Sequence, residues 1–273
     1  GMLMATFIVS LMTLFSEEDF LSWGWRIPFL LSSVLVILGL WIRKDIDETP
    51  DFQKVKKSGQ VAKAPLRDTI KHHWREVLIA AGLKVVETAP FYIFSTFVVS
   101  YATTTLTYQK SQALEAVTLG ALVATIMIPL MGLLSDRVGR QRMYAVSVFV
   151  LGLFIVPWFM LLNTGTTWGI VLATVIAFGV LWAPVTAVLG TLCSEIFSAN
   201  VRYTGITLGY QLGAALAGGT APLIATGLLA KYDGDWVPVA WYLGVTVAIS
   251  LIAIFCASRI NRERHLQAQP EQR

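Results

Sequence analysis

Two side chains of opposite charge, Lys84 and Glu87, lie three positions apart inside an apolar run of residues 77–100. At 1.5 Å per residue, Glu87 lies roughly 15 Å from Val77, near the middle of a bilayer core about 30 Å thick. A charge at that depth costs on the order of 2.5–3.5 kcal/mol even on lenient insertion scales. The cost is tolerable if the two side chains pair, or if Glu87 takes up a proton and becomes neutral. The other long apolar runs have no interior Asp, Glu or His, so Glu87 is the one protonatable carboxylate at depth.

Two interpretations of this pair stay open from the residues alone. Lys84 and Glu87 form a structural ion pair, or Glu87 faces a water-filled cavity as part of a solute or proton path. Tyr92, Tyr210 and Gln211 lie at depth as well and are further candidates for contact with a solute, although a tyrosine in a membrane helix more often serves packing. We expect no metal site, because the paired His72 and His73 have no Cys or His partner nearby.

A second cluster of charges lies in a short loop between the apolar runs 116–134 and 143–162. From Gly132 to Arg142 the loop reads Gly-Leu-Leu-Ser-Asp-Arg-Val-Gly-Arg-Gln-Arg. Each flanking run has about 20 residues, which is the length of a membrane-spanning helix. The pattern therefore predicts a tight hairpin at a membrane surface, and its three arginines place that surface on the cytoplasmic side.

The charged residues of this hairpin are Asp136, Arg137, Arg140 and Arg142. On one interpretation, the arginines only anchor the loop in the cytoplasm. On the other, Asp136 and the arginines form charge-assisted hydrogen bonds with neighbouring helix ends. Such bonds would hold the cytoplasmic side closed and would break when it opens. Gly132 and Gly139 are expected to allow the close approach and the unusual backbone angles of a tight turn.

Small residues recur at every fourth position of the run 204–230, namely Gly205, Gly209, Gly213 and Ala217. In lipid, where apolar contact alone does not drive association, such a stripe lets two helices approach closely. We expect tight helix packing here, and a moving gate helix would use the same surface. Gly218, Gly219 and Pro222 predict an interruption further along this helix.

The composition indicates a chain that crosses a membrane several times. Of its 273 residues, 55% are hydrophobic and 14% are charged, whereas soluble domains carry about 25% charged residues. Eight apolar runs cover residues 1–15, 25–42, 77–100, 116–134, 143–162, 168–190, 204–230 and 238–258. The net charge of +4 does not indicate binding to nucleic acid, because the basic residues lie in loops between these runs. The expected partner is the lipid bilayer.

The loops between the runs alternate in charge. The loops 43–75, 135–142 and 191–203 and the tail from Arg259 hold 17 of the 21 Lys and Arg residues, which predicts that they and the C-terminus are cytoplasmic. We expect four parts: a remnant of an N-terminal helix bundle (1–42), a cytoplasmic linker (43–74), a C-terminal six-helix bundle (75–258) and a cytoplasmic tail (259–273). Cys193 and Cys256 are expected to be free, reduced thiols.

The chain lacks the sequence signatures of an enzyme. It has no His-Glu-x-x-His, no paired intramembrane Asp, no Gly-x-Ser-x-Gly with a partner His, and no P-loop. We therefore expect no catalytic activity. A membrane sensor would need an attached soluble domain, which the 15 residues after Ser258 are too few to form.

Several motifs together resemble one family. The pattern Gly132-x3-Asp136-Arg137-x-Gly139-Arg140-x-Arg142 resembles the signature loop of the major facilitator superfamily, in its copy between helices 8 and 9. The segment Trp23-Gly-Trp-Arg-Ile-Pro-Phe-Leu-Leu-Ser32 resembles the start of helix 6 in the metabolite:proton symporter subgroup. The same subgroup is matched by Glu195-x-Phe197, Val201-Arg202-Tyr-Thr-Gly205 and Gly209-Tyr-Gln-Leu-Gly213. It includes carriers of shikimate, 2-oxoglutarate, citrate, and proline or betaine.

The resemblance implies an all-α membrane protein with the major facilitator fold, of which this chain forms the C-terminal two-thirds: part of helix 5, helix 6 and helices 7–12. It adds Glu195 and Arg202 to the cytoplasmic gate motif. It also implies proton-coupled symport of a small polar organic solute, a carboxylate or a zwitterion, across a bacterial inner membrane. The proton gradient would drive transport without a cofactor, and the full-length protein would be monomeric. An uncoupled facilitator or exporter of the same fold, or a non-transporting membrane sensor, is the alternative.

Overall fold

The computed structural model describes residues 17–44, 53, 65–198 and 201–268. Within these residues, every regular element is a helix, and seven helices are long and apolar enough to cross a membrane. The prediction of an all-α membrane protein is thereby confirmed. The first predicted apolar run, residues 1–15, and most of the predicted linker lie outside the described residues.

The chain divides into two compact units, residues 1–59 and residues 60–273. The first unit contains a short helix α1 (Glu17–Ser22) and one candidate span, α2 (Gly24–Lys44). Helix α2 begins as a 3₁₀ turn at Gly24–Arg26 and ends with two basic residues, Arg43 and Lys44. Cations in the last turn interact favourably with the helix dipole.

The second unit contains a short helix followed by the other six candidate spans. In chain order, these are α3 (Pro65–His72), α4 (Trp74–Thr104), α5 (Lys110–Val138), α6 (Arg140–Leu162), α7 (Thr167–Ile196), α8 (Arg202–Lys231) and α9 (Val237–Ala268). All six spans begin or end beyond the apolar runs that predict them. Polar and charged residues continue the helices at both ends, because long side chains can reach the interface while the backbone stays helical.

Short connections between successive spans create two ends of the second unit. At the end that carries Gly139, called the hairpin end, Ser258 of α9 donates a hydrogen bond to Gln141 of α6 over 3.0 Å. At the opposite end, the Gln112 amide of α5 donates to the Thr167 hydroxyl of α7 over 2.9 Å. Both ends are therefore held by polar side chains that join different helices.

Three of the spans contain a π-helical segment near the middle. The segments are Ile93–Phe97 in α4, Val175–Leu181 in α7 and Ala214–Gly218 in α8. Pro90 lies three residues before the start of the first, and the missing N–H of proline removes one bond of the α-helical ladder. Helix α8 breaks after Gly218 and resumes at Ala221 with Pro222 in its first turn, which confirms the predicted interruption.

Helix α4 packs against α8 along the predicted glycine stripe. A Cβ on Gly209 would lie 2.5 Å from the Ala80 Cβ, and one on Gly213 would lie 2.6 Å from the carbonyl oxygen of Ala81. Gly205 does not face α4 but packs against the ring of Phe197, at the end of α7. The structure thus places the small residues where helix backbones come closest, as expected for association in lipid.

Candidate functional site

Lys84 and Glu87 form an ion pair near the middle of α4. Glu87 lies 13 residues after Trp74 and 17 before Thr104, roughly 20 Å and 26 Å along the helix. The exposed fractions of the two side chains are 17% for Lys84 and 13% for Glu87. The pair is therefore largely withdrawn from the surface but is not sealed from it.

The Glu87 carboxylate is also bonded to two hydroxyl groups. The Thr88 hydroxyl lies 3.1 Å from one carboxylate oxygen, and the Thr186 hydroxyl of α7 donates to the other over 3.3 Å. Trp182, one turn before Thr186, donates its indole N–H to the backbone carbonyl of Glu87 over 2.7 Å. Helix α7 thus contacts both the side chain and the backbone of Glu87, and together these bonds hold the carboxylate in one orientation.

Lys84 lies between Glu87 and helix α8. Its ammonium nitrogen is 4.7 Å from the centre of the Tyr210 ring, a cation–π distance. A Cβ on Gly213 would lie only 2.6 Å from the Lys84 Cβ, so the glycine makes room for the lysine stem. The stripe of small residues therefore brings Tyr210 over the ammonium group.

Two further helices fix the backbone of α4 at this depth. The Ser250 hydroxyl of α9 accepts from the Val86 N–H over 3.1 Å and donates to the Gly82 carbonyl over 2.6 Å. Val86 and Gly82 are partners in the i→i−4 ladder, so the hydroxyl bridges them from outside the helix. The Tyr144 hydroxyl of α6 donates to the Leu83 carbonyl over 2.6 Å. Four helices, α6, α7, α8 and α9, thus converge on residues 82–87.

Of the five residues proposed for the solute or proton path, the structure brings three together: Lys84, Glu87 and Tyr210. Tyr92 lies further along α4 beside Gly218, and 38% of its surface is exposed. The Gln211 side chain is exposed and makes no hydrogen bond to another described residue. Contact of Tyr92 and Gln211 with a solute stays a prediction.

Sequence reasoning missed Thr186 and Trp182 of α7, Tyr144 of α6 and Ser250 of α9. Thr186, Trp182 and Ser250 lie in apolar runs without a charged residue nearby, and Tyr144 lies at the start of such a run, two residues after Arg142. A hydroxyl or indole in the middle of such a run was the available signal, because a polar group at depth requires a partner. The rotation of each helix about its axis decides which partner it meets, and no local pattern specifies that rotation.

The hairpin is as tight as predicted, since Gly139 alone separates the end of α5 from the start of α6. Gly139 has a φ of 95°, a conformation that residues with a Cβ rarely adopt. Gly132 differs from the expectation. It lies inside α5, and no atom of the described residues would come within 4 Å of a Cβ there.

Arg140 links three helices at the hairpin end. Its guanidinium donates to the Glu195 carboxylate of α7 over 2.6 Å and to the Asp136 carboxylate of α5 over 3.1 Å. Among the described residues, neither Arg137 nor Arg142 forms an ion pair, so the expectation that all three arginines bond is not met. Among the described residues, Arg140 is thus the one hairpin arginine that bonds to carboxylates of other helices, whereas the sequence suggested this role for all three.

The other gate residue suggested by the sequence, Arg202, lies at the start of α8. Its Nε is 3.5 Å from the carbonyl oxygen of Phe197, at the limit of a hydrogen bond. This contact spans the connection from α7 to α8. Arg202 therefore lies at the same end as Arg140.

The sequence also makes predictions about the cysteines and about metal ligands. Cys193 and Cys256 are free thiols, as predicted. In the part of the chain that the structure describes, no three His, Cys, Asp or Glu side chains come together in a way that could hold a metal ion.

Comparison with known proteins decides the family. The family model described as "Major Facilitator Superfamily" matches residues 1–218 and, in a second match, residues 91–273. The chain belongs to the major facilitator superfamily. This result confirms the resemblance that the Gly132–Arg142 loop suggests, and it agrees with the helical fold. No solved structure is significantly similar to this superfamily member.

Three curated relatives of this superfamily member are similar over most of its length. The "Shikimate transporter" of Escherichia coli (strain K12) is 32% identical over 89% of this chain and 56% of its own length. The "Glycine betaine/proline/ectoine/pipecolic acid transporter OusA" of Dickeya dadantii is 30% identical over 93% of this chain and 52% of its own. The "Proline/betaine transporter" of Salmonella typhimurium is 31% identical over 90% and 50%. The chain thus spans about half the length of the curated relatives it matches, which are transporters and not enzymes.

Proposed function

We propose that this protein works in proton-coupled symport of a small polar organic solute, a carboxylate or a zwitterion, across a bacterial inner membrane. The observation that carries the proposal is the Lys84–Glu87 pair, a partly exposed carboxylate and ammonium at the middle of a membrane-spanning helix. Such groups are costly in a bilayer and mark solute or proton paths. The relatives' names, which include transporters of shikimate and of proline and betaine, support the solute class.

The site offers the two kinds of contact that a polar solute requires. Lys84 provides a cation for an anionic group, while Glu87 can hold a proton or a cationic group. Tyr210, whose ring lies over the ammonium, adds an aromatic face. In major facilitator proteins the site lies near the bilayer midplane between two halves that rock against each other, which fits the depth of this pair.

The Arg140 cluster supplies the second part of the proposal. Arg140 ties α5, α6 and α7 together at the hairpin end, which we assign to the cytoplasmic side from the distribution of Lys and Arg. Its bonds would hold that side closed and would break when it opens. The partners are the lipid bilayer, the solute and protons, with a monomeric carrier and no cofactor or nucleic acid.

The test is uptake of labelled shikimate, 2-oxoglutarate, citrate and glycine betaine by the complete gene product in proteoliposomes. We expect at least one solute to accumulate when the lumen is alkaline, and a protonophore to abolish the accumulation. Equilibration that does not respond to a pH gradient would indicate a facilitator instead. If none of the four solutes crosses the membrane although the protein is shown to be folded, the proposed function is contradicted.

A further inference from the structure

We propose that the carboxylate of the solute takes the place of Glu87 as the partner of Lys84, and that this exchange occurs when Glu87 takes up a proton. One proton would then be bound for each carboxylate that binds. The inference rests on the proposed function and deepens it, because it names the group of the solute that the site recognises and the residue that couples recognition to the proton.

Lys84 has hydrogen-bond donors for a second anion. Within the described residues, its Nζ forms one ion pair, with Glu87, and its other close neighbour is the Tyr210 ring. An ammonium group has three N–H donors, and an aromatic ring is a much weaker hydrogen-bond acceptor than a carboxylate. With 17% of the side chain exposed, Lys84 has donors available for a ligand that arrives from the open side.

The surroundings of Glu87 suit both of its protonation states. The carboxylate lies within hydrogen-bond distance of the Thr88 and Thr186 hydroxyls, and the Thr88 hydroxyl can donate its one proton to the Lys84 carbonyl instead, over 3.0 Å. A hydroxyl can either donate or accept. If Glu87 becomes neutral, one of these hydroxyls can accept its new O–H without moving away. Backbone carbonyls in their place would repel the ionised form, and backbone N–H groups would favour it strongly.

Charge balance links the two events. The ionised pair is neutral as a unit, so a solute with a net negative charge, such as shikimate, would leave a net negative charge at the middle of the span when its carboxylate lies beside Lys84. A proton on Glu87 removes that charge, and Lys84 with the solute carboxylate is again neutral. A zwitterion brings its own cation, so this charge argument applies to anionic solutes only. Because a net charge at this depth is costly, binding of the anion and binding of the proton should favour each other.

The titratable groups that the described part of the chain places beside the pair should keep their charge below about pH 8. The groups that interact with it electrostatically are Tyr144 of α6, Cys193 of α7 and Tyr210 of α8. Helix α9 contributes the uncharged Ser250. Tyrosine and cysteine side chains are ordinarily neutral below about pH 8. A change in affinity below about pH 8 should therefore not come from these neighbours.

The experiment measures exchange of labelled shikimate, proline and glycine betaine across the membrane of proteoliposomes that contain the complete gene product. For each labelled solute, its methyl ester is added as an unlabelled competitor. Exchange at equal pH on both sides needs binding and alternating access but no net proton movement. For the wild type, we expect half-saturating concentrations of a transported solute to rise by up to about tenfold per pH unit. The methyl ester, which lacks the carboxylate, should compete at least about tenfold more weakly.

Three variants separate the exchange mechanism from a structural pair. Glu87→Gln should bind the solute with an affinity that no longer depends on pH, and should still exchange it. The double variant Lys84→Met/Glu87→Gln removes both charges and keeps side chains of similar shape. It should no longer bind the solute with a free carboxylate more tightly than the methyl ester. Glu115→Gln, an exposed carboxylate on α5, is the matched control and should behave like the wild type.

The outcomes distinguish this inference from the proposed function. If the double variant exchanges the carboxylate with wild-type affinity and pH dependence, the exchange at Lys84 is wrong, although transport itself stands. Retention of the wild-type pH dependence by Glu87→Gln would overturn it as well. If the wild type exchanges none of these three solutes and accumulates none of the four tested for uptake, both the inference and the proposed function fail. Transport of citrate or 2-oxoglutarate alone would leave the proposed function standing, and the same comparison of that solute with its ester then tests the inference.

Discussion

Gly213 shows how one residue without a side chain positions a charge at depth. Because it has no Cβ, helix α8 can approach the Ala81 carbonyl and the Lys84 stem. The approach brings the Tyr210 ring to 4.7 Å from the Lys84 ammonium. At this scale, packing and site geometry depend on the same residue.

Replacing Gly213 with leucine should therefore destabilise the protein. The added side chain would overlap Ala81 and Lys84, and overpacking typically costs about 1–3 kcal/mol. We expect a lower midpoint of thermal unfolding in detergent. Gly227→Leu is the matched control on the same helix, because no atom of the described residues lies within 4 Å of a Cβ there. Equal losses in both variants would show that the contact with α4 contributes nothing.

The residues of the site differ in how well the sequence predicts them. Lys84 and Glu87 are predictable because two charges inside an apolar run are costly unless they are paired or functional. Thr186 and Ser250 are not, since a single hydroxyl is compatible with either lipid or protein surroundings. Gly139 is predictable from the tight turn, whereas the space around Gly132 depends on which helices pass near it.

At the scale of the elements, Arg140 is the one described arginine of the hairpin that ties helices together. It is 36% exposed, and exposed ion pairs contribute little to stability, typically about 0–1 kcal/mol. Its geometry joins three separate helices through one guanidinium. A weak contact of this kind is suited to breaking and re-forming, which a static anchor does not require.

Asp136→Asn should consequently affect turnover more than folding. The change weakens the charge-assisted bond to Arg140, so the closed state of the hairpin end loses stability relative to the open state. We expect the initial rate of solute uptake to fall several-fold while the unfolding midpoint in detergent changes by only a few degrees.

Arg142→Gln is the matched control for the hairpin. It removes a charge from the same loop, but Arg142 forms no ion pair with a described residue. Uptake by this variant should stay close to that of the wild type. If Asp136→Asn transports normally, the loop would have only the anchoring role.

The helical boundaries are also only partly predictable. Apolar runs identify all six spans of the second unit, because each must be about 20 residues long to cross the core. The helices extend beyond those runs at one or both ends, as α4 does from Trp74 to Thr104. Hydropathy cannot detect these extensions, since polar residues at an interface are compatible with a helix or a loop.

At the scale of the whole molecule, the distribution of Lys and Arg predicts the orientation. A cysteine at position 138, in the hairpin, should be protected from a membrane-permeant thiol reagent by a quencher on the cytoplasmic side. A cysteine at position 165, in the loop between α6 and α7, should be protected from the other side. Labelling of both from one side would mean that the assigned orientation of these spans is wrong.

The labelling requires a background without reactive native thiols. Cys193 is buried and Cys256 is partly buried, and both are free. Replacing both with serine or alanine gives the background, and its uptake activity serves as the control for folding. Labelling of that background itself should be negligible.

Coupling between solute and proton is the central claim, and proton entry driven by the solute tests it most directly. The complete gene product is reconstituted in proteoliposomes that contain a pH-sensitive dye, without an imposed gradient, and a transported solute is added outside. We predict that the lumen becomes more acidic with the wild type and with Glu115→Gln, and that Glu87→Gln abolishes the acidification. Unchanged acidification with Glu87→Gln, or solute entry without any pH change in the wild type, would contradict the account.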